Sequence, residues 1–283
     1  MFEYLPYYAC CNLGNLLYEW EDYQGAIINY TQAIEIYPRE YSPYYDRGIT
    51  YNQIKDYAYA VEDFTQVIRF NPQHAPSYAQ RACARMHMGE TQKALEDCNR
   101  ALQLDFNNIQ ARYWRGKLRT YLNNYQGARE DFSHLLTTDS DNWLSCASYN
   151  LGALEYLEGN NSQALKHLTK VIYIDPNSTF AYYLRGNAFY ELDDQKGAFE
   201  DFEEAKQLEM AREESEYPNS PYTDDEHGFY GKGLAQYRLE NPEEALKSLR
   251  EAQVIALKHG NMRLSQKITD LVEEIQSASF KAT

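Results

Sequence analysis

Residues 41–74 read YSPYYDRGITYNQIKDYAYAVEDFTQVIRFNPQH, and residues 75–108 read APSYAQRACARMHMGETQKALEDCNRALQLDFNN. Laid over one another, the two stretches put Gly48 on Ala82 and Ala60 on Ala94. The register carries on in both directions. Ala26, Ala60, Ala94 and Ala128 stand 34 apart; Ala164 follows after 36, Ala198 after 34 and Ala245 after 47. Twelve residues ahead of each lies a second small residue: Gly14, Gly48, Ala82, Gly116, Gly152, Gly186 and Gly233. Two small-residue series locked together over seven copies mark a tandem repeat, which has to be settled before any globular reading.

Each unit holds two helical stretches split by polar or turn-forming pairs: Glu21-Asp22, Lys55-Asp56, Gly89-Glu90, Asn123-Asn124, Gly159-Asn160, Asp193-Asp194 and Asn241-Pro242. The Gly of the first stretch and the Ala of the second are where two helix backbones must approach. Four places after each Ala stands Tyr30, Phe64, Cys98, Phe132, Leu168, Phe202 or Leu249, one turn on and facing the same neighbour. Pro38, Pro72 and Pro176 end the second helix of their units; the other four units lack that Pro.

In its period and its two small positions the chain resembles the tetratricopeptide-repeat (TPR) family over about residues 7–260. The resemblance implies an all-α protein: an α-solenoid, a right-handed superhelix of seven helix pairs with a concave inner surface. The repeats fall near 7–40, 41–74, 75–108, 109–142, 145–178, 179–212 and 226–259 of a single solenoid spanning 1–283. A C-terminal capping helix is expected over 261–277. There Leu264, Ile268, Leu271 and Ile275 recur every three or four residues, and Lys267, Asp270, Glu273 and Glu274 are read as its outer side. That helix suggests a finished C-terminus, whereas no cap is read ahead of the first repeat. Between the sixth and seventh repeats lies an insertion, 213–225. Residues 213–226 hold six acidic residues and no basic ones, with Pro218 and Pro221. Its Pro-bearing part is expected to be a loop and the most mobile internal segment, or else an acidic lid over the groove.

Composition narrows the function. The chain has 283 residues, 43% hydrophobic, so it has enough apolar matter to fold. Its net charge is −15, from 27 basic and 42 acidic residues, and no basic stripe is present to neutralise phosphates. Nucleic acid is therefore not an expected partner, nor is an anionic membrane surface. No apolar run reaches the length of a membrane span, and Met1 to Leu5 open no basic and apolar leader. Cys10, Cys11, Cys83, Cys98 and Cys146 are odd in number and lack CxxC spacing, which fits free thiols and a cytoplasmic address.

Catalytic motifs are missing: no phosphate loop, no HExxH and no GxSxG. Cys83 and His87, one helical turn apart, are the nearest approach to a metal pair, two ligands short of a closed site. The chain is thus read as no enzyme, with no cofactor and no metal. The resemblance instead implies a groove lined by the first helix of each repeat. Carried over, it places Tyr45, Tyr113, Lys117, Tyr149, Tyr156, Tyr183, Asn187, Tyr190, Tyr230 and Tyr237 on that lining. Tyr is common at these places in the family generally. The charged lining, Glu19 and Glu191 against Lys117 and Arg238, is nearly neutral. Some members of the family clamp a carboxylate with Lys, Asn and Arg. The corresponding places here, Cys11, Asn15, Asp46, Pro76 and Gln80, match only at the Asn, so that mode is not expected.

The expected function is a scaffold or adaptor that holds a peptide or helical segment of a partner protein in the groove. The alternatives are self-association through the N-terminal repeat and, with least support, metal binding.

Overall fold

A computed structural model describes residues 5–213 and 225–282 of the chain; the expected Pro-bearing loop, with its mobility or lid role, lies outside the described residues. Fifteen helices and no strand are found among the described residues. The chain divides into two compact units, residues 1–118 and 119–283. Unit 1 holds α1 (Leu5–Glu19), α2 (Tyr23–Ile36), α3 (Ser42–Gln53), α4 (Tyr57–Phe70), α5 (Ala75–His87), α6 (Thr91–Leu104) and most of α7 (Ile109–Tyr121). Unit 2 holds α8 (Tyr125–Leu135), α9 (Asp141–Leu157), α10 (Asn161–Ile174), α11 (Thr179–Glu191), α12 (Gln195–Glu213), α13 (Glu226–Arg238), α14 (Pro242–His259) and α15 (Met262–Ala282).

The turn inside each helix pair is built one way throughout. Glu21, Lys55, Gly89, Asn123, Gly159, Asp193 and Glu240 take left-handed backbone, with φ between 59° and 81°. Around Lys55 the Lys55 N–H donates to Asn52 O and the Asp56 N–H to Tyr51 O, so the last carbonyls of α3 are satisfied before the chain reverses. The next residue then opens the following helix. Asp22, Asn124 and Asp194 each accept a side-chain hydrogen bond from the N–H three places on, at Gly25, Gly127 and Gly197. Six of the seven expected turn pairs begin on the left-handed residue; in the last it is Glu240, one place earlier. Gly260 repeats the device at the end of α14, where Asn261 accepts from Leu264 N and starts α15.

Packing explains the small residues. A Cβ added to Gly14 would lie 2.6 Å from the Tyr30 ring, and one on Gly48 2.9 Å from Phe64. In unit 2 the distances are 2.7 Å from Gly152 to Leu168, 2.6 Å from Gly186 to Phe202 and 2.7 Å from Gly233 to Leu249. The bulky residue of the second helix thus rests on the bare backbone of the first, sixteen residues before it. Ala82 breaks the Gly series where the residue sixteen on is only Cys98, and both are wholly buried. A smaller partner leaves room for the extra methyl.

A second series at the same spacing escaped the sequence reading. Arg47 donates from Nε and Nη2 to both oxygens of Asp63 at 2.8 Å, and from Nη1 to Thr31 Oγ1 at 2.8 Å. Arg81 does the same with Asp97 and Thr65, and Arg185 with Asp201 and Thr169. Each planar fork grips an Asp in its own repeat and a Thr in the repeat before.

Two expected boundaries move. α9 begins at Asp141, inside the span expected for the fourth repeat, and α15 runs to Ala282 instead of 277. The stripe of Leu264, Ile268, Leu271 and Ile275 is buried as expected. Lys267 is not outward: it is half-buried, and its Nζ donates to Leu157 O at 2.8 Å.

Gly186→Ala should destabilise the chain by about 1–3 kcal/mol, because the Phe202 ring and the Ala198 carbonyl close on the new methyl. Combined with Phe202→Cys, the pairing that Ala82 and Cys98 already use, the total should fall at least about 0.5 kcal/mol short of the summed single costs. Urea unfolding of the three variants measures this; strict additivity would remove the contact from the account.

Candidate functional site

The residues expected on the lining divide between the units. In unit 1, Tyr45 is half-buried with its ring edge-on to His74 at 5.0 Å, Tyr113 stands edge-on to Trp114 at 4.8 Å, and Lys117 is half-buried. Beside Tyr45, burial pushes the Asp46 carboxyl up to about 6, against a hydrogen bond from Ser42. Asp46 thus sets a half-buried acid at a place where a carboxylate clamp would need a cation.

Unit 2 carries the rest, and separates them. Tyr183 is 3% exposed and its hydroxyl donates to Glu209 at 2.9 Å. Asn187 is wholly buried. Its amide nitrogen donates to Tyr183 O and to Gly231 O, both at 2.7 Å, and its oxygen accepts from Arg238 Nη1 at 2.7 Å. These two were expected as ligand contacts; they are interior residues, Tyr183 tying α11 to α12 and Asn187 fastening α13 to α11. Gly231 is what permits it, since a Cβ there would strike Leu184 at 2.8 Å. Tyr149 donates to the Asp225 carboxylate, and Tyr237 to Glu274 at 3.3 Å. Tyr190 stays 45% exposed, with the Arg238 guanidinium 4.1 Å over its ring.

The remaining pair meets in one place. Tyr156 and Tyr230 wall a cavity of about 420 Å³, together with Glu191, Arg238, Asn161 and Lys267. Arg238 also pairs with Glu191, so that wall is neutral, as the sequence suggested. Burial raises the pKa of both tyrosines, with Arg238 pulling the other way, and both hydroxyls stay protonated. The result is a half-apolar recess with hydroxyl, amide, guanidinium and ammonium groups on its rim. Such a recess suits binding. Asn161 and Lys267 were missed as lining residues.

One group of potential metal donors converges among the described residues: Asp225, Glu226 and His227, within 4.8 Å of one another. Asp225 already accepts from His227 N, Gly228 N and Tyr149, acting as the N-cap of α13, while the buried Glu226 carboxylate lies 3.9 Å from the His227 ring and 3.8 Å from that of His259. Cys83 and His87 form no such group. The His87 ring stacks on Tyr57 at 4.7 Å, and burial pushes the Cys83 thiol up to about 12.

Tetratricopeptide-repeat profiles match residues 7–40, 41–74, 75–108 and 147–178. Among solved structures, the chain is similar to a tetratricopeptide-repeat protein from Parabacteroides merdae, at 19% identity and TM-score 0.65, covering 92% of this chain and 99% of that one. It is similar to PilW, a widely conserved type IV pilus biogenesis factor, at 17% identity and TM-score 0.64, covering 74% of this chain and 95% of PilW. It is also similar to YrrB, a TPR protein with an unusual peptide-binding site, at 18% identity and TM-score 0.52, covering 64% and 92% of the two chains. A search of curated proteins finds no match. The fold therefore defines an α-solenoid of paired helices. Four of its helix pairs match as tetratricopeptide repeats, which makes the chain a multi-repeat protein of that kind.

Asp46 gives the site a pH signature. Its folded pKa lies above its ordinary value of 3.8, so the folded chain holds this proton more tightly than the unfolded chain. Stability from this group is present at low pH and is lost as pH rises from about 4 to about 6. Asp46→Asn should raise stability near neutrality by about 1–3 kcal/mol and change it little near pH 4. Urea midpoints at the two pH values test this; equal gains at both would assign the effect to something other than titration.

Proposed function

We propose that the chain is a protein-interaction scaffold without catalytic activity of its own, holding a peptide or helical segment of a partner at the tyrosine-lined recess of unit 2. The observation that carries this is the meeting of Tyr156 and Tyr230 around an open cavity, with Tyr190 exposed nearby. Tyr offers a face and a hydroxyl for two torsions, which suits contact with a backbone and its side chains. YrrB, of the same fold, is described as binding peptide, which adds support. Tyr149 and Tyr237 extend the lining within unit 2, and Tyr183 and Asn187 hold it in shape; Tyr45, Tyr113 and Lys117 belong to unit 1 and offer a separate surface there. No cofactor, metal or nucleic acid has a part in this reading. No helix among the described residues is long and apolar enough to cross a membrane.

With a partner captured from the native source and its bound segment mapped, Tyr190→Ala combined with Tyr230→Ala should weaken binding by at least about 30-fold while the helical circular-dichroism signal stays. Because the lining is nearly neutral, raising salt from about 50 to about 300 mM should weaken binding less than about tenfold. Unchanged affinity in the double variant would put the binding surface elsewhere.

A second reading has an observation of its own. On α1 and the turn after it, Leu5, Tyr8, Leu13, Leu16 and Trp20 are all exposed, Trp20 at 71%. A large apolar face of this kind favours self-association of the chain through its first repeat. Light scattering should then give a dimer mass for the full chain and a monomer mass for Leu16→Asp with Trp20→Asp. A monomer in both samples rules this reading out.

A further inference from the structure

The recess holds polar groups that the fold does not use up. Asn161 lines it at the start of α10, and its Oδ1 is sealed from water with no hydrogen-bond partner. Turning the amide over would leave a donor there instead, so one hydrogen-bonding position stays open either way. Lys267 reaches the same recess from α15, outside the paired helices. Its Nζ gives one of three N–H donors to Leu157 O, the last carbonyl of α9.

The charges around Lys267 are unbalanced. Of the two acids in the recess, Glu191 is paired with Arg238 and Glu158 with Arg129. Lys267 has no carboxylate within 4.0 Å among the described residues. Burial, and then the nearby Arg263, lower the pKa of its ammonium. A half-buried cation with two unused donors and no counter-charge gains most from an anionic group brought by a ligand. The N-terminal end of α10, with Asn161 as its first residue, adds positive helix dipole at the same edge.

We propose that this recess is a carboxylate subsite of the bound peptide. Lys267 takes the carboxylate, Asn161 pairs with the adjoining peptide amide, and the Tyr156 and Tyr230 rings flank the segment. The inference rests on the peptide-binding reading above and names the chemistry of its ligand: an Asp or Glu side chain, or a free C-terminus. The helix-capping bond to Leu157 O is compatible with this role, since it fixes the ammonium at the rim and leaves its other donors available.

A peptide array separates the possibilities. Each sequence is displayed with free and amidated C-termini and in acid (Asp, Glu) and amide (Asn, Gln) versions, and probed with the full chain and with Lys267→Met. Peptides captured by the unaltered chain should lose at least about tenfold in affinity when the carboxylate becomes an amide, and this preference should vanish in Lys267→Met. Whether amidation of the C-terminus or the side-chain change abolishes it tells which carboxylate is bound. Equal capture of acid and amide forms by the unaltered chain, with capture still lost in Tyr190→Ala plus Tyr230→Ala, overturns the subsite and leaves the groove standing. Capture of no peptide at all removes both. The acid-against-amide comparison on the unaltered chain needs no variant, so misfolding of Lys267→Met would not rescue the idea.

Discussion

Everything else in this chain depends on a bulky side chain resting directly on a helix backbone. Tyr30, Phe64, Leu168, Phe202 and Leu249 each lie where the Cβ of a residue sixteen places earlier would otherwise be. The contact needs two things: a missing side chain in the first helix and a second helix returned at a fixed angle. The left-handed residue in the turn supplies the return, and the Gly supplies the space. Once a pair is closed, its outer flank is still apolar, so it must stack on a neighbour. The recess of unit 2 follows from that stacking, since the helix ends that frame it, around Leu157 and Asn161, are placed by the same turn at Gly159.

Much of this architecture was legible in the sequence, because the contacts that set it are local and repeated. Gly186 and Phe202 are sixteen residues apart, and a spacing that recurs along the chain needs no structure to be noticed. The Arg–Asp–Thr forks recur in the same register, at Arg47, Arg81 and Arg185, yet the sequence reading did not single them out. Their burial is a property of the packed pair and has no mark in hydropathy.

The site was less legible. The resemblance placed Asn187 on the lining, whereas its amide is spent on Gly231, 44 residues away and across the insertion. No local pattern announces a partner at that distance. Lys267 is a different failure. It stands three residues after Leu264 and four before Leu271, so helical spacing already put it beside the apolar stripe. Reading it as outward followed its charge instead of its position. Long cationic side chains lay their stems along apolar surface and lift only the tip, which is how Lys267 comes to edge a cavity.

The forks also determine how the array comes apart. Each ties a helix pair to the one before it, so opening one pair breaks bonds in two. Where α9 would carry the next fork, at the position matching Arg47, the residue is Leu151, 2% exposed and without donors. In a row of units coupled only to their neighbours, a weak coupling is where a melting front stops and partly folded species collect. At the start of the fifth repeat no such gap opens, because Arg129 of α8 reaches Glu155 and Glu158 at the end of α9 and ties the two repeats in the fork's place.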